Sequence, residues 1–271
     1  MPTLELPSGK TWRRLSRESS FKRWLAWLIG TAVFAWCWQK IAAGTEWMFV
    51  LDSPAQASDM FSRMVPPEWG YALTLGRPLW DTLNMATLGT ALAVVIAVPL
   101  AFLAAENTTP SKRFMRPFAF FCIVASRSIN SVIWAMVLVM ILGPGVLAGT
   151  IAIALRSIGF IGKLLYEGIE ETDRRPVEAM ESTGAGHAQV VSYAIVPQIM
   201  PIFAGIAVFR WDINIRESTI LGLVGAGGLG LQLNAAIGNL DWSRVSVILL
   251  SILATVIISE WVSARVRAAV T

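Results

Sequence analysis

Long apolar stretches alternate with shorter polar ones along this chain of 271 residues. A bilayer core about 30 Å thick is crossed by about 20 apolar helical residues. Six stretches meet that length: 24–43, 82–105, 118–142, 146–165, 199–223 and 245–262. Charged residues make up only 15% of the chain, whereas soluble domains carry about 25%. The pattern therefore predicts an all-α integral membrane protein with six transmembrane helices.

The first apolar stretch, 24–43, follows a basic tail in the way that a cleaved signal peptide does. Its apolar length exceeds that of a usual signal-peptide core, so we predict an uncleaved helix. The chain then divides into a tail, 1–23, a first helix with the loop after it, 24–81, and a main membrane domain, 82–267. The loop is a mixed segment with several prolines within 52–80, and we predict a short helix there at the membrane surface.

The basic residues fall mostly on one side of the membrane if the six helices alternate in direction. Fourteen of the 22 lie there: Lys10, Arg13, Arg14, Arg17, Lys22, Arg23, Lys112, Arg113, Arg116, Lys163, Arg174, Arg175, Arg265 and Arg267. The other side has Lys40, Arg63, Arg77 and Arg244. Since loops rich in Lys and Arg stay in the cytoplasm, both termini are predicted to be cytoplasmic and the 44–81 segment external.

A polar, helix-forming segment, 174–198, lies between the fourth and fifth apolar stretches. Its marked residues are Glu178, Ala179, Glu181, Gly184, Gly186 and Pro197. The glutamates share a helix face, the glycines can divide the segment into two helices, and the proline suits a helix start. Short helices are marginal without a packing partner. We predict that the segment docks on another protein; the alternative is a loop that packs on its own helices.

Six charged residues lie inside the predicted transmembrane helices: Arg127, Arg156, Arg210, Asp212, Arg216 and Glu217. Each costs about 2.5 kcal/mol or more at the bilayer centre and therefore needs a partner or water. Asp212 and Arg216 are four residues apart and can pair along one helix face. Arg210 and Glu217 share another face, whereas Arg127 and Arg156 have no partner nearby in the sequence.

These charges allow two interpretations. They could be ion pairs that hold helices together, or they could line a water-filled path whose excess of positive charge suits an anion. The fifth stretch also carries Asn214, Ser218 and Thr219. A helix this polar cannot face lipid, which favours the path.

Four glycines end the fifth stretch: Gly225, Gly227, Gly228 and Gly230. Their G-x-G-x-x-G pattern signals dinucleotide binding only within a βαβ unit, which this membrane context excludes. We predict instead a tight external turn, as part of an outer gate.

Catalytic, metal-binding and nucleic-acid-binding patterns are missing from the sequence. Gly162-Lys163 lacks the glycine spacing of an ATP-binding P-loop. His187, Cys37 and Cys122 do not form a metal-ligand pattern, and no basic patch lies outside the membrane-flanking segments. We therefore expect a protein that is not an enzyme and that has no metal or cofactor of its own.

The polar segment resembles the EAA loop of ABC-importer permeases, in which a proline lies thirteen residues after the glycine, as Pro197 does after Gly184. Met180 stands where the motif has its second alanine. Residues 80 to 267 resemble permeases of the methionine-importer type, which are ABC type I importers. Phe209-Arg210, Asn214-Ile215-Arg216 and the 224–230 glycine segment look more specifically like phosphonate-importer permeases.

This resemblance implies a homodimer in the bacterial cytoplasmic (inner) membrane. It also implies two cytoplasmic ATPase subunits, which bind ATP and Mg, and an external substrate-binding protein. The EAA loop would be the coupling helix in an alternating-access mechanism. The expected cargo is phosphonate, phosphate or phosphite. The alternatives are the same fold with another cargo, such as an amino acid or another oxyanion, an ion-coupled secondary carrier and, remotely, an intramembrane enzyme.

Overall fold

The structure is a computed structural model that describes residues 3–6, 9–12 and 17–270. Its elements are β1 (Thr3–Leu6), β2 (Gly9–Trp12), α1 (Arg17–Ala43), α2 (Trp47–Met64), α3 (Trp69–Ala72), α4 (Gly76–Ala104), α5 (Met115–Ser128), α6 (Ser131–Leu142), α7 (Val146–Glu170), α8 (Arg174–Ser182), α9 (His187–Val190), α10 (Val196–Leu221), α11 (Gly228–Gly238) and α12 (Trp242–Val270). A 3₁₀ turn, Leu73–Leu75, joins α3 to α4. Two π-helical turns, Val191–Ile195 and Gly222–Ala226, follow α9 and α10. The membrane-spanning part is all helical, as predicted.

Internal contacts divide the chain into two units, Met1–Asp59 and Met60–Thr271. The first unit contains α1, whose apolar side chains are exposed along the helix, and the antiparallel pair β1–β2. This hairpin was not predicted within the tail. Two tail residues that entered the charge count, Arg13 and Arg14, lie outside the described residues.

Five helices in the described part of the chain are long and apolar enough to span a bilayer, and the number is six if α5 and α6, which meet at a bend of 86°, count as one span. The prediction of one continuous helix over 118–142 was wrong. Ile129 has an extended backbone, and the Asn130 side chain accepts a hydrogen bond from the Val132 amide at 3.1 Å. Such capping satisfies the first amides of a new helix, so the span breaks at this point.

The ends of several helices differ from the predicted spans. α4 begins at Gly76 rather than at residue 82, and α7 continues to Glu170 rather than to residue 165. A helix lies in the segment where a short one was predicted, but α2 has 18 residues, and its predicted position at the membrane surface stays a prediction. α11 was not predicted, because its 11 residues are too few for a span and begin in the glycine segment.

Helix α7 lies at the centre of the second unit, where it contacts α4, α5, α6 and α10. Small side chains permit the closest approach: Ala93 and Ala97 of α4 are fully buried against Ile158 and Ile161 of α7. Small residues at a crossing allow helix backbones to approach closely in a membrane. Ile206 of α10 packs against the same cluster, so the middle of α7 lies beside the helix that carries most of the intramembrane charges.

Candidate functional site

Arg210 is the centre of a buried polar network between α7 and α10. Its side chain is only 3% exposed. Its Nε donates a hydrogen bond to Ser157 Oγ at 2.9 Å, and its Nη2 donates to Glu217 Oε2 at 2.9 Å. The guanidinium also lies 5.1 Å from the centre of the Phe160 ring, whose electron-rich face attracts a cation. Arg210 therefore ties α10 to α7.

The carboxylate of Glu217 is shared between two arginines. Besides Arg210, it meets Arg156 of α7, whose Nε lies 3.2 Å from Glu217 Oε1. This second contact is an ion pair without hydrogen-bond geometry, since the buried Nε of Arg156 has no hydrogen-bond partner in the described structure. Arg156 is 32% exposed, in contrast to Arg210. The ion pair of Glu217 with Arg210 is thus hydrogen-bonded and buried, whereas its ion pair with Arg156 is longer and involves a partly exposed arginine.

Asn214 extends the network to α4. Its amide nitrogen donates to Thr90 Oγ1 at 2.8 Å and to Ser157 Oγ at 3.1 Å, and all three residues are buried. Sequence reasoning missed Thr90 and Ser157. A usable signal was present for Ser157, because it directly follows Arg156 within a predicted span.

Asp212 and Arg216 form a second, separate pair on α10, as their spacing predicted. Asp212 is buried and also accepts a hydrogen bond from Ser259 Oγ of α12 at 2.9 Å. Arg216 is 46% exposed. It lies on one helix face with the exposed apolar residues Phe209 and Ile220, so a cation interrupts an apolar stripe.

The remaining two candidates in the spans lie apart from both groups. Arg127 is exposed in the last turn of α5, before the bend, and makes no ion pair with an acidic side chain of the described chain. Ser218 is buried and donates only to the Ile215 carbonyl of its own helix. The structure therefore unites Arg156, Arg210, Asn214 and Glu217, and leaves the others outside this network.

The predicted docking segment forms two helices, α8 and α9, divided where the two glycines lie. Gly184 has φ +77°, a left-handed conformation that glycine adopts without strain. Glu178, Ala179 and Glu181 are exposed on α8. Pro197 lies in the first turn of α10, directly after the π-helical turn.

The loop between α4 and α5 supports this segment, and sequence reasoning missed its role. Asn107 donates to the Ile169 carbonyl at 2.7 Å, and a ring nitrogen of His187 lies 3.3 Å from the Thr108 carbonyl. Lys112, 2.8 Å from Glu106, holds the pKa of that carboxyl below its usual value. A cavity of about 400 Å³ separates this loop from α8. Residues far apart in sequence meet here, and local patterns do not reveal such contacts.

The glycine segment reverses the chain between α10 and α11. Gly225 has φ +95°, and its carbonyl accepts a hydrogen bond from the Gly145 amide at 3.0 Å. Gly227 and Gly228 also have positive φ. A Cβ on Gly230 would lie 1.9 Å from the Thr219 carbonyl oxygen. The segment is thus a close-packed turn, at the end of α10 opposite to the docking segment.

These features define a multi-pass membrane protein with the architecture of a transport permease: spans that bury charges, and an exposed pair of helices between two of the spans. The chain belongs to the family described as binding-protein-dependent transport system inner membrane component, which matches residues 97–271.

Individual relatives agree with this family. The chain is 35% identical over 260 residues to the phosphite transport system permease protein PtxC of Stutzerimonas stutzeri. That alignment covers 94% of this chain and 89% of the relative. It is 39% identical over 221 residues to the phosphate-import permease protein PhnE of Mycolicibacterium smegmatis. That alignment covers 80% of this chain but only 41% of the longer relative.

The fold also matches solved structures. The inward-facing MetNI methionine ABC transporter aligns with a TM-score of 0.63 and 22% identity, over 74% of this chain and 97% of that one. This likeness concerns the fold, and it confirms the predicted methionine-importer type. The resemblance to ABC-importer permeases inferred from the sequence is likewise confirmed.

Proposed function

We propose that this chain forms the translocation path for a small phosphorus oxyanion, such as phosphite, phosphate or a phosphonate, in an ATP-driven importer. One observation carries the proposal: Arg156 and Arg210 share a single carboxylate, that of Glu217. The network therefore holds two guanidinium groups against one carboxylate within a membrane-spanning region. An excess positive charge there favours an anion, and guanidinium groups match oxyanion geometry well. Relatives named for phosphite and phosphate transport support the same cargo class.

Among the predicted path residues, exposure supports a division of roles. Arg127 and Arg216 are exposed and Arg156 is partly exposed, so these three cations are our candidates for contact with the anion. The buried residues Arg210, Asp212 and Asn214 bond to neighbouring helices and hold them in place, whereas the buried Ser218 bonds within α10. In this scheme the second group shapes the path without touching the cargo.

The importer would contain two copies of this chain, two ATPase subunits that bind ATP and Mg, and an external binding protein. We place both termini and the α8–α9 segment in the cytoplasm, on the basis of the distribution of basic residues. The exposure of Glu178 and Glu181 supports docking of α8 on an ATPase subunit. The glycine turn would then lie at the outer end of the path, where it could form part of a gate.

Uptake by the reconstituted complex tests this function. The permease, its ATPase and its binding protein are placed in liposomes, and uptake of labelled phosphite, phosphate, methylphosphonate and methionine is measured. We expect ATP-dependent uptake of at least one oxyanion, at least tenfold above that of methionine. Transport of methionine without any oxyanion would contradict the proposal.

Arg216 provides a test of the path itself. Arg216→Ala should lower oxyanion uptake at least tenfold, because it removes an exposed cation from the span. Arg113→Ala, which removes an exposed cation from the α4–α5 loop, serves as the matched control and should leave uptake unchanged. Equal uptake by the two variants, at equal amounts of assembled complex, would exclude Arg216 from the path.

A further inference from the structure

A second carboxylate-paired cation lies farther along α7, toward the docking segment. Lys163 follows Arg156 by seven residues, which places it about 10 Å farther along the axis on nearly the same helix face. Its Nζ lies 3.4 Å from Glu167 Oε1, and the two side chains are 37% and 41% exposed. The order along this face of α7 is thus Arg156, Lys163 and Glu167, and the carboxylate that pairs with Arg156 comes from Glu217 of α10.

The same face is the open side of a helix that is otherwise largely buried. The partly exposed residues Arg156, Phe160, Lys163 and Glu167 are spaced by four, three and four residues, which aligns them in one stripe. A stripe with two cations would be costly against lipid. It therefore suits a water-filled path, and it leads from the middle of the span to the end that carries the docking segment.

Both ion pairs of the stripe are loose. Charge-assisted hydrogen bonds between N–H and carboxylate are usually about 2.7–2.9 Å long. Lys163 and Glu167 are 3.4 Å apart, and the Arg156 contact with Glu217 lacks hydrogen-bond geometry. The Lys112–Glu106 pair of the α4–α5 loop, at 2.8 Å, shows a tight pair in the same chain. The long separation from Glu167 leaves N–H groups of the partly exposed Lys163 able to bind another oxyanion, and Arg156 also keeps one donor without a hydrogen-bond partner, its buried Nε.

We propose that Arg156 and Lys163 are successive sites for the anionic cargo, and that Lys163 is the exit site. This inference rests on the proposed function. At each site an oxygen of the cargo takes the place of the carboxylate of Glu217 or Glu167. When the cargo moves on, the carboxylate pairs with the cation again, which prevents the anion from remaining bound. Phe160 lies between the two sites, with its ring 6.2 Å from that of Phe209, so the cargo passes an apolar step.

Substitutions of Lys163 in the complete complex, reconstituted in liposomes with its ATPase and binding protein, test the proposal. The readouts are maximal uptake and KM for phosphite and phosphate, and ATP hydrolysis stimulated by the loaded binding protein. Lys163→Gln and Lys163→Met should each lower maximal uptake at least fivefold, with stimulated hydrolysis within twofold of the unmodified complex. Lys163→Arg, which keeps the charge, should retain at least half of the uptake.

Two further variants separate cargo contact from a structural role. Lys22→Gln removes an exposed cation of α1, which lies outside the main membrane domain and is predicted on the same side of the membrane, and should change uptake by less than twofold. If Lys163 only neutralises Glu167, Lys163→Gln/Glu167→Gln should restore uptake. If Lys163 binds cargo, the double variant should remain at least fivefold below the unmodified complex.

Three results would overturn the inference. They are uptake by the Lys163→Gln and Lys163→Met variants equal to that of Lys22→Gln, full restoration in the double variant, and loss of stimulated ATP hydrolysis together with uptake. In each case the unmodified complex still carries the oxyanion, so the proposed function survives. Failure of the unmodified complex to carry any oxyanion would overturn the proposed function as well.

Discussion

The shared carboxylate of Glu217 gives the sharpest prediction about stability. Glu217→Ala removes the acidic partner of Arg210, which is 3% exposed and cannot gain water easily. Loss of one partner from a buried ion pair costs about 3–5 kcal/mol. Arg210 keeps its hydrogen bond to Ser157 and its contact with the Phe160 ring. We therefore expect the lower end of that range, about 3 kcal/mol.

Each 1.36 kcal/mol is a factor of ten in an equilibrium constant, so the unfolding equilibrium should shift by about 100-fold. Equilibrium unfolding in mixed detergent micelles, followed by the fluorescence of the 12 tryptophans, measures this shift. Glu178→Ala, at an exposed position of α8, is the matched control and should change the free energy of unfolding by less than about 0.5 kcal/mol.

A double variant tests the cause of the loss. Arg210→Leu/Glu217→Leu removes the buried cation together with its partner, and such a replacement of a buried ion pair is often neutral or stabilising. It should therefore be more stable than Glu217→Ala. If Glu217→Ala unfolds like Glu178→Ala, the carboxylate does not hold Arg210, and our account of the network is refuted.

Three other substitutions have expected outcomes. Gly184→Pro should abolish the ATP hydrolysis stimulated by loaded binding protein while the spans still insert, because proline cannot adopt φ +77°; unchanged stimulation would contradict docking. Gly230→Ala should prevent recovery of folded protein, since its Cβ meets a carbonyl oxygen at 1.9 Å, whereas Gly238→Ala has open space and should fold. Asn130→Ala should lower the free energy of unfolding by about 1 kcal/mol through loss of the cap, and Asn130→Asp should retain it.

The spans could be predicted from sequence because lipid imposes a simple rule, namely about 20 apolar residues for each crossing. The bend between α5 and α6 escaped that rule. Residues 118–142 are apolar enough for one helix, but Asn130 caps a new one. Capping depends on a single side chain, and the mean hydropathy of a whole span does not reveal it. α11 was missed for the opposite reason, since it is a helix but is too short to cross the bilayer.

The sequence identified most of the charged and polar residues of the candidate site, but it did not show which of them contact one another. Spacing along α10 identified the Asp212–Arg216 pair, because both residues lie on one helix. It could not place Arg156, whose partner Glu217 lies on another helix, 61 residues later in the chain. Such a contact depends on how α7 and α10 pack against each other, which spacing along one helix does not reveal. The buried hydroxyls of Thr90 and Ser157 were missed for the same reason.

The helical run from His187 to Leu221 passes through a π-helical turn but is not interrupted. Its first residues belong to the docking segment, and its last turns carry the charge network. One added residue rotates a helix by about 100° and lengthens it by about 1.5 Å. The number of residues in this run therefore fixes the direction in which side chains at one end point relative to those at the other end. A one-residue insertion near Gly205 would turn Arg210 away from Ser157 if the docking segment stayed in place. Substitutions along this helix should therefore be tolerated far better than insertions or deletions that change its length.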